Sequence, residues 1–170
     1  MPFVDHEQAV IAACVQHEET HRQQDDYRRC ISFVIDTTTY LVKFGDSWCF
    51  SPEAMMQTHF AIVAQGDSGA PRVPVVHHTF QHGYLTYAII EFIETIEVSM
   101  DVFVYKVAEA VLWLRRQPVL PGVVLGPLGS GPAAHAIFKD RYAPLPFTGA
   151  VALERYLNKV KPRLTSLLPY

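Results

Sequence analysis

Residues 39–45 read "TYLVKFG", and residues 30–36, just before them, read "CISFVID". Both stretches are dense in β-branched and aromatic side chains, and only Thr37 and Thr38 separate them. That composition predicts two strands folded back on each other as a hairpin. The connection carries no glycine or asparagine, so its turn type stays open. Lys43 is the one charged residue of the second stretch.

Working outward, "SPEAMMQTHFAIVAQGDSG" (51–69) predicts a helix. Ser51 is its expected cap, Pro52 belongs to its first turn, and Gly66 ends it. "PRVPVVHHTF" (71–80) and "YLTYAIIEFIE" (84–94) predict two further strands joined by "QHG". The second is nearly all apolar and is expected at the centre of the sheet. His77 and His78 are neighbours on one strand, so their side chains are expected on opposite faces. "VSMDVFVYKVAEAVLWLRRQ" (98–117) predicts a long apolar helix that Pro118 ends. "PVLPGVVLGPLGSGP" (118–132) predicts a long loop. "AHAIFKDRYAPLPF" (134–147) is irregular, and "GAVALERYLNKVKP" (149–162) predicts a last helix.

At the other end, Asp5 is positioned to cap a helix running to about Asp25, with Val10, Ile11, Cys14 and Val15 on its apolar side. Its second half holds "HEETH" (17–21), where His17 and His21 stand at i and i+4. That is the zinc-ligand spacing of H-E-x-x-H hydrolases, with a glutamate as general base. The flanking residues are polar, and a third ligand is not marked, so the helix half is expected at the surface. The order α-ββ-α-ββ-α-loop-α predicts an α+β fold with an antiparallel sheet and helices. We expect one domain over 1–170, made of an added N-terminal helix (1–29), a sheet-and-helix body (30–96) and a helical and loop segment (97–170).

Composition narrows the function. The chain has 170 residues, 49% of them hydrophobic and only 18% charged, with a net charge of −3. It can bury a sizeable core, and it has no basic footprint for nucleic acid. The cluster Lys159, Lys161 and Arg163 suits a helix C-terminus. No stretch has the length of a membrane span, and "MPFVDHEQAV" lacks the pattern of a signal peptide. Three irregularly spaced cysteines do not make a disulfide framework, so a reduced, cytoplasmic protein is expected.

Taken together, "YLVKFG" (40–45), a helix bearing Glu53, "VPVVHHTF" (73–80) and "YAIIEFIE" (87–94) resemble the N-terminal lobe of the protein-kinase-like fold. The match is nearer to fungal aminoglycoside-phosphotransferase-like proteins, whose lysine strand has the form V-V-K-[YF]-G. "LWLRRQPVLPGVVLGPLGSGP" (112–132) and "APLPFTGAVALERYLN" (143–158) are similar to later segments of that family, so the resemblance spans about Cys30 to Val160. It implies that Lys43 contacts nucleotide phosphates and that Glu53 holds it. It also implies that Glu91, Phe92 and Ile93 form the hinge beside an adenine-like ring, with ATP and magnesium as the cofactors.

The sequence departs from that family where the chemistry lies. It has no H-G-D-x-x-x-x-N loop, and "HAIFKDRY" (135–142) has the wrong order. Phosphoryl transfer needs bridging metal ions and an aspartate to orient the acceptor. The first glycine of the chain is Gly45, so no glycine-rich nest precedes the lysine strand. The expectation is a kinase-fold protein lacking the phosphotransfer loop that binds a small molecule or a protein partner, with a homodimer as one way to cover an apolar face. Three alternatives stand beside it: a repurposed enzyme using acid–base chemistry at His135 or His78, residual nucleotide binding, and the zinc hydrolase built on His17 and His21. Tyr84, Tyr87, Tyr105 and Trp113 are candidates for an aromatic pocket or for the core.

Overall fold

The computed structural model describes residues 3–118, 126, 133, 138 and 142–164, with side chains as far as 159. The chain divides into two compact units, Met1–Gln117 and Pro118–Tyr170.

In the first unit a 3₁₀ turn (Val4–His6) leads into α1 (Glu7–His21), followed by β1 (Cys30–Ile35), β2 (Thr38–Asp46), α2 (Ser47–Gln65), β3 (Val76–His82), β4 (Leu85–Glu91) and α3 (Met100–Arg116). The four strands form one antiparallel sheet in the order β1-β2-β4-β3, so β4 is central, as its apolar sequence predicts. The fold is α+β, and its element order is consistent with a kinase-like N-lobe followed by helices.

Alternation along the strands sorts the sheet into two faces. Val42 and Phe44 of β2, Tyr87 and Ile89 of β4 and Ile35 of β1 turn to one side, where Val10 and Cys14 of α1 close over them. Leu41 of β2 and Ala88 and Ile90 of β4 turn to the other side and meet Phe50 and Ala54 of α2. The sheet is therefore covered on both faces. Val10, Val42 and Ile89 have no exposed surface, and burial of each such side chain contributes about 1.5–3 kcal/mol.

Both tight turns use a positive φ at their first central residue only. Gly83 has φ 60°, and Asp36 has φ 55°. That pattern suits the twist of a two-residue hairpin, and aspartate tolerates the left-handed region better than most residues.

Three expectations are corrected. The first helix opens from the 3₁₀ turn with His6 at its N-cap, and no side chain caps it, so Asp5 does not play that part. α2 begins at Ser47, not Ser51, and Pro52 is carried inside it. The hydroxyl of Ser51 reaches from α2 to the central strand instead, 2.8 Å from Thr86 Oγ1. Thr86 in turn donates to Ser47 Oγ at 2.9 Å, and Gln81 Nε2 donates to the same oxygen at 3.0 Å. This network satisfies Thr86, the buried polar residue of β4. Finally, β3 carries a register shift between Val76 and His78. A bulge sets two residues against one and re-aims their side chains. Phe3 consequently stacks with both His77 (5.8 Å) and His78 (6.1 Å), so the two histidines do not lie on opposite faces.

In the second unit, α4 (Ala150–Leu164) follows the predicted helix. Phe138, Ala143 and Phe147 form a small buried cluster with Tyr156 of α4 packed against it. Phe147 and Tyr156 have ring centroids 5.3 Å apart, and Ala143 N–H donates to Ala133 O at 2.8 Å.

Candidate functional site

Lys43 lies on the α2 side of the sheet, paired across β2 to Ala88 of the central strand. Its ammonium meets the carboxylate of Glu53, on α2, in an ion pair. It also stands 5.7 Å from the centre of the Phe50 ring, within cation–π range. Gly45 leaves room for this arrangement. A Cβ at that position would lie 3.1 Å from Phe50 Cβ and 3.3 Å from its Cγ, so a larger residue there would press on the ring beside the lysine. The structure thus brings together Lys43 and Glu53, the two residues the resemblance pairs.

The pair is well solvated, the side chains of Lys43 and Glu53 being 36% and 55% exposed. An ammonium has three N–H donors, and one is used on Glu53. Lys43 therefore keeps donors for an anion. The β1–β2 connection, Asp36–Thr37, lies at the other end of the hairpin from Lys43, which pairs with Cys30 at the start of β1. "GPLGSGP" lies almost wholly outside the described residues.

Glu91, placed at the hinge by the resemblance, is occupied. Arg72 Nη2 donates to its Oε1 at 2.6 Å, and the Val75 N–H donates to its Oε2 at 3.2 Å. These bonds, Arg72 first, hold the carboxyl below the usual carboxylate range. Glu91 thereby pins the segment entering β3 to the end of β4. Ile93 follows β4 and is half-buried, and Phe92 is exposed.

His78, an acid–base candidate, is also engaged. Its Nε2 lies 2.8 Å from Glu7 Oε1, and its ring stacks with Phe80 at 5.6 Å. It ties the start of α1 to β3. His135 lies outside the described residues. Of the four aromatic candidates, Tyr87 and Trp113 are buried, whereas Tyr84 and Tyr105 are 70% and 61% exposed, so they line no common pocket.

The "HEETH" stretch is not a plain solvated face. His17 and His21 stack with ring centroids 4.6 Å apart, and Tyr27 stacks on His17 at 5.6 Å. His17 Nε2 lies 2.8 Å from Arg28 O, and His21 Nδ1 lies 3.0 Å from His17 O. Arg29 joins Glu18 at 3.1 Å and Asp46 at 3.3 Å, tying the helix end to β2. Among the described residues, no three of His, Cys, Asp and Glu stand together as a metal site. This cluster locks the end of α1 onto the sheet, and the polar sequence gave no sign of it because its partners come from the loop beyond.

Two further features escaped sequence reasoning. Residues 68–72 and Lys106, Glu109 and Ala110 of α3 line an open cleft of about 500 Å³, which neither Lys43 nor Glu53 reaches. The larger feature is α3 itself. Trp113 anchors it, its Nε1 donating to Asp67 Oδ2 at 2.8 Å and its ring meeting Phe60 at 6.0 Å. Trp113 is its one buried residue, and nine large apolar residues of α3 are 44–72% exposed.

No family model, no curated protein and no solved structure matches this chain. Among the described residues, no helix is long and apolar enough to cross a membrane.

Proposed function

We propose that this chain is a binding protein on a kinase-lobe-like frame, and that it acts through a protein partner received on α3 rather than by transferring phosphate. The exposed apolar surface of α3 carries this reading. Soluble chains seldom leave so much contiguous apolar surface to water, and such patches mark interaction sites. The occupied Glu91 and the engaged His78 support the same reading. In it, the Lys43–Glu53 pair joins α2 to β2.

A thermal-shift titration with ATP and magnesium tests it, run on the wild type and on Lys43→Ala. The expected result is no nucleotide-dependent shift in either protein. A shift in the wild type that Lys43→Ala abolishes would restore the nucleotide site and overturn the reading.

A further inference from the structure

The partner on α3 can be specified further, on the basis of the binding reading above. Five apolar residues of the helix, Met100, Phe103, Val107, Val111 and Leu114, follow one another at spacings of three, four, four and three. At about 3.6 residues per turn they form one stripe, with Val104 beside it. All six are exposed, from 44% at Leu114 to 72% at Met100. Val102, Tyr105 and Leu112 lie outside the stripe. Trp113 and Ala110, which face the body of the unit, lie to one side of it.

The spacing reads the same in both directions about Val107. A second copy laid antiparallel along the stripe would set Val107 against its own counterpart. Met100 would then face Leu114, and Phe103 would face Val111. The charges obey the same symmetry. Asp101 lies in the first turn of α3, and Arg115 and Arg116 lie in the last. Asp101 and Arg115 fall on the same flank of the stripe, and a two-fold axis across an antiparallel pair brings like flanks together. Each Asp101 then meets the Arg115 of the other copy, twice per dimer. A parallel pair would instead leave each Asp101 about 21 Å along the axis from the other copy's Arg115, and that ion pair would not form. The helix dipoles also favour the antiparallel arrangement.

We propose that α3 is the interface of a two-fold homodimer, paired antiparallel about Val107. Such an isologous contact uses one self-complementary patch, and it closes on itself at two copies.

Sedimentation velocity and disulfide trapping on the full chain test this. The wild type should sediment as a dimer at tens of micromolar, and Val107→Glu as a monomer with an unchanged circular dichroism spectrum, since Val107 is half in solvent already. In a Cys30→Ser/Cys49→Ser background, Val107→Cys should cross-link to itself on mild oxidation. Met100→Cys alone should not, but a mixture of Met100→Cys and Leu114→Cys should. A monomeric wild type, a Val107→Glu protein that stays dimeric, or self-linking of Met100→Cys overturns the proposal. A monomer that also shows no nucleotide response would remove the homodimer and leave the binding reading standing.

Discussion

Lys43 and Glu53 show how far a single residue pair carries chemistry. The ion pair is formed, but both side chains are well exposed, and exposed pairs contribute roughly 0–1 kcal/mol. A urea-denaturation cycle of Lys43→Ala, Glu53→Ala and the double variant should give a coupling energy below about 1 kcal/mol. A coupling of several kcal/mol would mean that the pair is far better shielded than its exposure indicates. Cys14 is the opposite case. It is 1% exposed, and burial, with Glu18 adding to it, pushes its thiol up to about 12. A thiol held protonated is a poor nucleophile. Iodoacetamide on the native protein, followed by peptide mass spectrometry, should therefore label Cys30 and Cys49, which are half-buried, well before Cys14. Labelling of Cys14 at an equal rate would contradict its place under α1.

At the scale of elements, α3 is held to the rest of its unit by Asp67. Its carboxylate accepts the Trp113 indole N–H and the Gly69 N–H, and these two bonds, Trp113 first, hold the carboxyl below the usual carboxylate range. A carboxyl with a lowered folded value stabilises the fold above its unfolded pKa of about 3.9, and that contribution is lost as pH falls through the folded value. In a Trp48→Phe background, Trp113 fluorescence should be flat from neutral pH down to about 4 and change below it. In Asp67→Asn this acid transition should be absent. A transition of the same midpoint in Asp67→Asn would assign it to another group.

The strands were legible because their side chains alternate or run apolar over short stretches, and the final helix because its pattern is amphipathic. The start of α2 was not. Ser51-Pro52 has the form of a helix opening, but the hydroxyl of Ser51 finds Thr86, which lies far away along the chain. The bulge at His77 was equally hidden, since a bulge belongs to the pairing of two strands and not to either one. For the site, the Lys43–Glu53 pair was legible through the resemblance, whereas the engagement of His78 and Glu91 depends on Glu7 and Arg72, partners that no local pattern announces.

At the scale of the whole molecule, each of the two units has its own buried cluster. Within the first unit, α1 covers one face of the sheet and α2 the other, and α3 carries more exposed large apolar residues than any other element, ahead of α2 with Trp48, Met55 and Ile62. A long apolar helix is expected from its sequence to be buried, and within its own unit this one is buried only at Trp113. That mismatch between composition and burial is the main evidence for a partner. Hydrogen–deuterium exchange of the full chain across a dilution series measures it directly. The account predicts that amide protection in 100–116 rises with protein concentration while protection in β2 and β4 stays constant. Protection in α3 that does not change with concentration, up to the highest the protein reaches, would contradict it.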